Sequence, residues 1–412
     1  MEASCEMTDP DASLHPEPAP EPAEASARPQ SGILPSQEIR ALVAAGEIAA
    51  PEPIGEAQIQ PASLDLRLGP VAYRVRASFL PGPTATVQQK IDQFGMHALD
   101  LTRGAVLEKG CVYLVPLLEH VRLGEGISGL ANPKSSTGRL DIFTRLIADF
   151  STEFERVKRG YAGPLYLEIS PRTFSIILRQ GSRLNQLRLR RGPSPAGDAA
   201  AGAALRLLHR QVRLVDRDPG EAVIDRGLAL SVDLRGQGDG RPIGYIARKH
   251  AGLIDVDKVG HYDPADFWEP VFGRRGEGLI LNPDDFYILA SKEAVTVPPD
   301  HAAEMVAYDT LVGEFRVHYA GFFDPAFGYG PSAGGRTRAV LEVRSHEVPF
   351  MLEDGQIVGR LAYERLTAVP DKLYGTGIGS SYQRQGLTLG KQFRQPGPDA
   401  APDAGPAMRP GG

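Results

Sequence analysis

A self-similarity held at one spacing constrains this chain more than any other feature. Tyr113 and Tyr287 stand 174 positions apart, and the same offset joins Glu119 to Glu293, Val121 to Val295, Leu167 to Leu341, Glu168 to Glu342, Leu178 to Leu352, Gly181 to Gly355 and Leu187 to Leu361. An earlier pair, Ser63-Leu64-Asp65-Leu66 and Ser231-Val232-Asp233-Leu234, lies at offset 168, so the repeat begins well before residue 113 and carries small insertions. A recurrence of that length means two homologous units of about 170 residues. Their local pattern has period two. Phe174, Ile176 and Leu178 alternate, Arg179-Gln180-Gly181 turns the chain, and Leu187 and Leu189 alternate again; Val348, Phe350, Leu352, a turn at Glu353-Asp354-Gly355, then Leu361 and Tyr363 repeat this in the second unit. Such alternation between glycine turns predicts hairpins of a sandwich or barrel.

Gly and Pro, 46 and 35 of 412 residues, also favour short strands and turns over long helices. One helix is predicted near the front, with Ser36 as N-cap, Gln37 and Glu38 in its first turn, and Ile39, Leu42 and Val43 as an apolar stripe ending before Gly46. The segment 192–203, GPSPAGDAAAGA, reads as a flexible loop near the junction of the units, and Trp268 as packing between them. Residues 1–30 and 394–412 are too poor in apolar side chains to offset the entropy of ordering, and are expected to be disordered.

Charge and cysteine content remove several classes of function. Lys and Arg total 45 against 51 Asp and Glu, a net charge of −6, with no basic block, so nucleic acid is not an expected partner. No run nears the roughly 18–20 apolar residues of a membrane span. The acidic, proline-rich N-terminus lacks the pattern of a secretory signal, so the cytoplasm is the expected location. With only Cys5 and Cys111, neither a disulfide framework nor a Cys-rich zinc site is expected. The zinc deaminase signature, GxSxG and the P-loop are all missing, and the histidines are scattered without metal-ligand spacing.

Three segments are left to carry chemistry. Lys134-Ser135-Ser136-Thr137-Gly138-Arg139 gathers two cations and three hydroxyls in one short loop, a set suited to phosphate or to capping a solvated turn. Gly160 to Ile169 is a glycine-marked turn feeding a strand that holds Tyr166 and, between apolar neighbours, Glu168. A carboxylate so placed either faces solvent or is desolvated toward the pKa range of a general base, and Glu342 recurs at the equivalent place. Tyr374 to Gly386 is glycine-rich yet carries Tyr374, Tyr382, Gln383, Arg384 and Gln385, enough to cover a ligand.

Taken in order with Gln60 to Gly69, these segments resemble the dCTP deaminases of the dUTPase-like superfamily, in their long, two-unit bacterial form. Gln60-Pro61-Ala62-Ser63-Leu64-Asp65-Leu66-Arg67-Leu68-Gly69 is similar to the family's N-terminal strand signature, Lys134 to Arg139 to its Arg-Ser-Ser-x-x-Arg loop, Gly160 to Glu168 to its catalytic Glu strand, and Tyr382 to Gly386 to its C-terminal arm. The resemblance implies a mainly β protein of two distorted jelly-roll units with a few short helices: unit one over 31–215, unit two over 216–373 and an arm over 374–393 that closes on nucleotide. It also implies hydrolytic deamination of dCTP to dUTP and ammonia without zinc, Mg²⁺ carried by the triphosphate, and a homo-oligomer. Glu168 is then the general acid and base, Ser135 or Ser136 holds the attacking water, Arg139 offsets charge, and Lys134, Ser135, Ser136, Arg139, Tyr166, Asp324, Tyr374, Tyr382 and Gln385 contact substrate.

The match is divided between the units. Unit one lacks a clear Asp-Pro-Gly turn before its Glu strand, where Glu153 to Arg159 intervenes; unit two keeps Val317-His318 and Asp324-Pro325 but has Tyr308-Asp309-Thr310 in place of the loop and no Arg at 313. Ser381 stands where the family has Lys. A composite site is therefore the alternative, combining the loop of unit one with Asp324 and Glu342 of unit two and leaving Glu168 structural. The competing functions are a dUTPase or bifunctional deaminase–dUTPase, and a non-catalytic sensor of deoxynucleotide triphosphates.

Overall fold

The computed structural model describes residues 31–193, 198–217, 221–236, 240–273, 276–307, 315–318, 321–330, 336–345, 347–375 and 386–395. In unit one, a five-stranded sheet centred on Asn185–Arg191 and Ile127–Pro133 packs on a six-stranded sheet centred on Val112–Arg122 and Ala162–Pro171. Period two explains the layers: Leu165, Leu167 and Ile169 point inward and share a core with Val115, Leu146, Ala131, Leu187 and Leu189, while Tyr166 and Glu168 take the outer face. Unit two repeats the plan. A four-stranded sheet holding Ile357–Arg365 and His301–Ala307 packs on a five-stranded sheet holding Phe286–Val295 and Thr337–Ser345, with Leu289, Leu341, Val343 and Leu361 inside. Glu342 and Arg344 therefore stand on the outer face.

The expected hairpins are corrected in one respect. The turns at Gly181 and Gly355 exist, with φ +85° and +84° that glycine tolerates, but their flanking strands do not pair with one another. Ile176–Leu178 runs antiparallel to Ala105–Leu107 and parallel to Ile254–Asp255 of unit two in a separate three-stranded sheet, whereas Asn185–Arg191 belongs to the five-stranded sheet. Ser182 to Leu184 carries the chain from that small sheet into the five-stranded one, so the alternation resumes in a different sheet.

The front helix forms over Ser36–Ala44, but Pro35 takes the N-cap position and Ser36 is the first helical residue, its hydroxyl bonded to Asp371. The loop expected at 192–203 is also corrected: from Asp198 the chain is helical to Val212. Its alanines are the strongest helix formers, and Leu205, Leu208 and Val212 supply a stripe packed on the core of unit two. A further helix, Val87–Phe94, is started by a capping box of Thr86 and Gln89.

The units share structure. Trp268, only 1% exposed, lies 5.7 Å from Phe174 of unit one and 6.0 Å from Phe286 and Phe393, ring to ring. Arg179 forks onto Asp255 through two bonds of 2.7 Å. Trp268→Ala should cost about 3–5 kcal/mol; in urea, midpoints read from probes in each unit should fall together, whereas a fall confined to one unit would mean that the aromatic cluster does not couple them.

Candidate active site

The loop that follows strand Ile127–Pro133 makes a single helical turn, Ser135–Gly138. Lys134 is extended, and the N–H groups of Thr137 and Gly138 return to its carbonyl at 2.8 and 3.0 Å. Two bonds to the Leu184 carbonyl, from the Lys134 N–H at 2.9 Å and the Thr137 hydroxyl at 2.7 Å, pin this turn to the next strand. Ser135 is left exposed, while Ser136 and Arg139 are buried. The Arg139 guanidinium donates to the Thr388 carbonyl at 3.1 Å, so the C-terminal segment 386–395 rests on it. Lys134 Nζ reaches buried Asp65 at 2.5 Å.

Unit two closes on this loop with the outer face of strand Thr337–Ser345. Arg344 pairs with Asp141 and donates to the Thr173 hydroxyl at 3.0 Å, both in unit one, and to the Asp284 carbonyl at 2.7 Å. Glu342 lies two residues earlier on that face and is met by the charge of Arg139, which lies two residues before Asp141. Alternate residues of opposite sign thus face each other across the unit boundary. Burial pushes the Glu342 carboxyl up to about 8; Arg139 pulls it down, and Asp141 adds to the rise. Asp324 is raised to about 6 by burial, with Arg188 and Lys134 opposing and Asp65 adding. Arg188 of unit one reaches to 3.7 Å from Asp324, and its guanidinium sits 3.9 Å over the Phe322 ring. Tyr374 donates its backbone N–H to the Pro325 carbonyl at 3.1 Å and packs 5.5 Å from Phe327, beside the same turn.

The other candidates are placed differently. Glu168 accepts from Arg145 Nε at 2.9 Å and Nη2 at 2.5 Å, and the same guanidinium bonds Ser78 at 2.5 Å and lies 3.7 Å over the Phe154 ring. These hydrogen bonds run within unit one and not to Lys134–Arg139. Tyr166 shares that face, buried against Val75, Val87 and Ile91, where burial pushes its phenol to about 12. The structure thus gathers Lys134, Ser136, Arg139, Asp324 and Glu342 around one boundary and leaves Glu168 and Tyr166 beneath the 76–94 segment of their own unit. Tyr382 and Gln385 lie outside the described residues.

Sequence reasoning missed Asp141, Arg344 and Arg145. A register comparison holds the signal for the last: Arg145 stands directly opposite Glu168, and His318 stands directly opposite Glu342. Among the described residues no three His, Cys, Asp or Glu side chains cluster as metal ligands would.

The two carboxylates should respond oppositely to amidation. Because Glu342 has a folded-state pKa above its unfolded value, its protonated form stabilises the protein at low pH, and that contribution is lost as pH rises from about 4.5 through about 8. At pH 9, Glu342→Gln should melt at or above the wild-type temperature, and lower melting would contradict the assigned burial. Glu168→Gln strips Arg145 of its counter-charge and should lose up to about 3 kcal/mol.

Comparisons with known proteins identify the family. The model of the 2'-deoxycytidine 5'-triphosphate deaminase N-terminal domain matches residues 30–193, and that of the C-terminal domain matches residues 201–393. A solved 2'-deoxycytidine 5'-triphosphate deaminase from Agrobacterium tumefaciens is 55% identical, with a TM-score of 0.77, over 82% of this chain and 99% of that one. The dCTP deaminase, dUMP-forming, of Beutenbergia cavernae is 32% identical over 141 residues, which is 32% of this chain and 69% of that protein. Its namesake in Parafrankia sp. is 34% identical over 168 residues, 40% of this chain and 78% of that protein. The chain belongs to the dCTP deaminase family and carries the family's N- and C-terminal domains in series.

Proposed function

We propose that the chain deaminates dCTP by hydrolysis at one composite site, giving dUTP and ammonia, with Glu342 as the general acid and base. The observation that carries this reading is the burial of Glu342 within reach of the charge of Arg139 of the other unit. A buried carboxyl raised to about 8 holds a proton well, and the opposing charge of Arg139 keeps a share ionised near neutral pH. The carboxylate takes a proton from water as the water oxygen attacks C4 of cytosine and passes it to N3 of the ring; it then takes the proton of the new C4 hydroxyl, which becomes the carbonyl, and passes it to the amine. The C4–N bond breaks and ammonia leaves. Exposed Ser135 holds the water, and Arg139 offsets the charge that develops near C4. Lys134 and Ser136 contact phosphate, while Asp324 and Tyr374 line the nucleotide from unit two with Tyr382 and Gln385 of the arm.

Mg²⁺ belongs to this reading as a passenger on the triphosphate, where it neutralises phosphate charge. Buried Asp65 Oδ1, which has no hydrogen-bond partner among the described residues, is an acceptor suited to the water shell of such an ion. No helix among the described residues is long and apolar enough to cross a membrane, and a cytoplasmic homo-oligomer is part of the proposal. A second reading has one specific support, the "dUMP-forming" in the names of the curated relatives. It adds hydrolysis at the α-phosphate and release of pyrophosphate.

Incubation with dCTP and Mg²⁺ should release ammonia and dUTP. Pyrophosphate in step with ammonia would establish the second reading instead. Glu342→Gln should lower kcat by about 10²–10⁴-fold, with Glu168→Gln within a few-fold of the wild type in the folded fraction. The kcat/KM of the free enzyme should rise with pH, reach half its limit near pH 8 and level off above it, as the Glu342 carboxylate forms. Loss of turnover on changing Glu168 alone would overturn the assignment, and absence of turnover in the wild type would leave the sensor.

A further inference from the structure

Between the 134–139 loop and the strand that carries Glu342, three side chains bond one another in a closed ring. The Thr173 hydroxyl donates to Asp141 Oδ2 at 2.6 Å, and Arg344 donates both to that carboxylate oxygen and to the Thr173 oxygen, the latter at 3.0 Å. Asp141 is 1% exposed and Arg344 7%, so the pair is shut off from bulk water. The other arm of the guanidinium is taken up by the Asp284 carbonyl at 2.7 Å.

Asp141 also stands in a backbone conformation that few side chains accept. Its φ is +55°, in the left-handed region, which Asp and Asn tolerate better than other residues and glycine best. The Asp141 N–H returns to the Gly138 carbonyl at 2.8 Å and its carbonyl accepts from the Arg172 N–H at 2.9 Å, so the residue ends the helical turn of the loop and leads into strand Ile142–Ala148. A glycine would make this turn without strain; the carboxylate is what the ring requires. The internal repeat points the same way. Glu342 has its counterpart in Glu168, but two residues on, where unit two has Arg344, unit one has Ser170. An arginine that served only the common scaffold would recur in both units, and this one stands only on the strand whose glutamate comes within reach of the other unit's loop.

We propose that Asp141 and Arg344 are positioning residues for the deamination, and that through their buried ring with Thr173 they hold Arg139 and Glu342 at the separation the reaction needs. The inference rests on the composite-site reading above and deepens it. Arg139 lies two residues before Asp141 and Glu342 two before Arg344, so a slip at the ring is passed to both groups at once. A misplacement of about 1 Å is enough to cost about a hundredfold in rate. The ring acts through groups that serve the transition state, so its loss falls on kcat more than on KM. The Asp141 charge has a second effect. Burial is the main cause of the raised Glu342 carboxyl, Arg139 draws it down and Asp141 adds to the rise, while Arg344 shares its strand face and His318 stands opposite it in the ladder.

The test uses the full chain, with steady-state turnover of dCTP in Mg²⁺ followed as ammonia release across pH, and a melting temperature for each variant. Asp141→Asn and Asp141→Gly both accept the left-handed turn and both remove the carboxylate. Each should lower kcat by about tenfold to a hundredfold, with KM within about threefold, and should move the half-rise of kcat/KM below pH 8. Arg344→Gln should lower kcat by a similar factor, and its combination with Asp141→Asn should be no slower than the slower single variant, because both changes open the same ring. A purely structural pair would lower the melting temperature and leave the kcat and pH profile of the folded fraction unchanged. Wild-type kcat and pH profile in Asp141→Gly, or losses that multiply in the double variant, would overturn the inference and, with Glu342→Gln still slow, leave the deaminase reading standing. A Glu342→Gln protein as fast as the wild type would overturn that reading and the inference with it.

Discussion

Arg344 of unit two and Asp141 of unit one form a buried ion pair across the unit boundary, and the site depends on it. A pair removed from water pays a desolvation penalty that its attraction barely returns, so its value lies in fixing one arrangement of the two surfaces. Once that register is set, Glu342 comes within reach of the Arg139 charge, since each lies two residues from its paired neighbour on an outward-facing segment. The Thr173 hydroxyl and the Asp284 carbonyl also take bonds from Arg344, which fixes its fork from both units. A proton-holding carboxyl under the charge of a guanidinium follows from docking two sandwiches, and neither unit could build it alone.

The two units have divided their inheritance. Unit one keeps the phosphate-type loop, but the outer face of its Glu168 strand is occupied by Arg145, Phe154 and the 76–94 segment. Unit two has Glu342 at the same point of the same strand, with His318 opposite in the ladder and the neighbouring unit's loop above it. One substitution type accounts for much of the contrast: an arginine opposite the carboxylate converts a titratable group into half of a structural ion pair. The Arg145 stem and Phe154 then cover it, which suits stability and closes the face to a ligand.

The repeat, the period-two strands and the four motifs were legible in the sequence because each is local or depends only on counting. The sheet that each strand joins was not, since Ile176–Leu178 and Asn185–Arg191 alternate in the same way while pairing in different sheets. The different surroundings of Glu168 and Glu342 were hidden for a similar reason. Both sit between apolar neighbours on a strand, and what separates them is Arg145, 23 residues away, and Asp141, 203 residues from Arg344. The helix at 198–212 shows the opposite failure: a run rich in Gly, Pro and Ser hid the alanines and the Leu205 stripe that follow it.

The central claim is that two units make one site. The number of nucleotides bound per chain tests it most directly, measured calorimetrically with dCTP and Mg²⁺ on the slowed Glu342→Gln protein. A composite site predicts one nucleotide per chain, with binding lost when Arg139 is replaced by Ala. Two equivalent nucleotides per chain, or one that persists without Arg139, would contradict it.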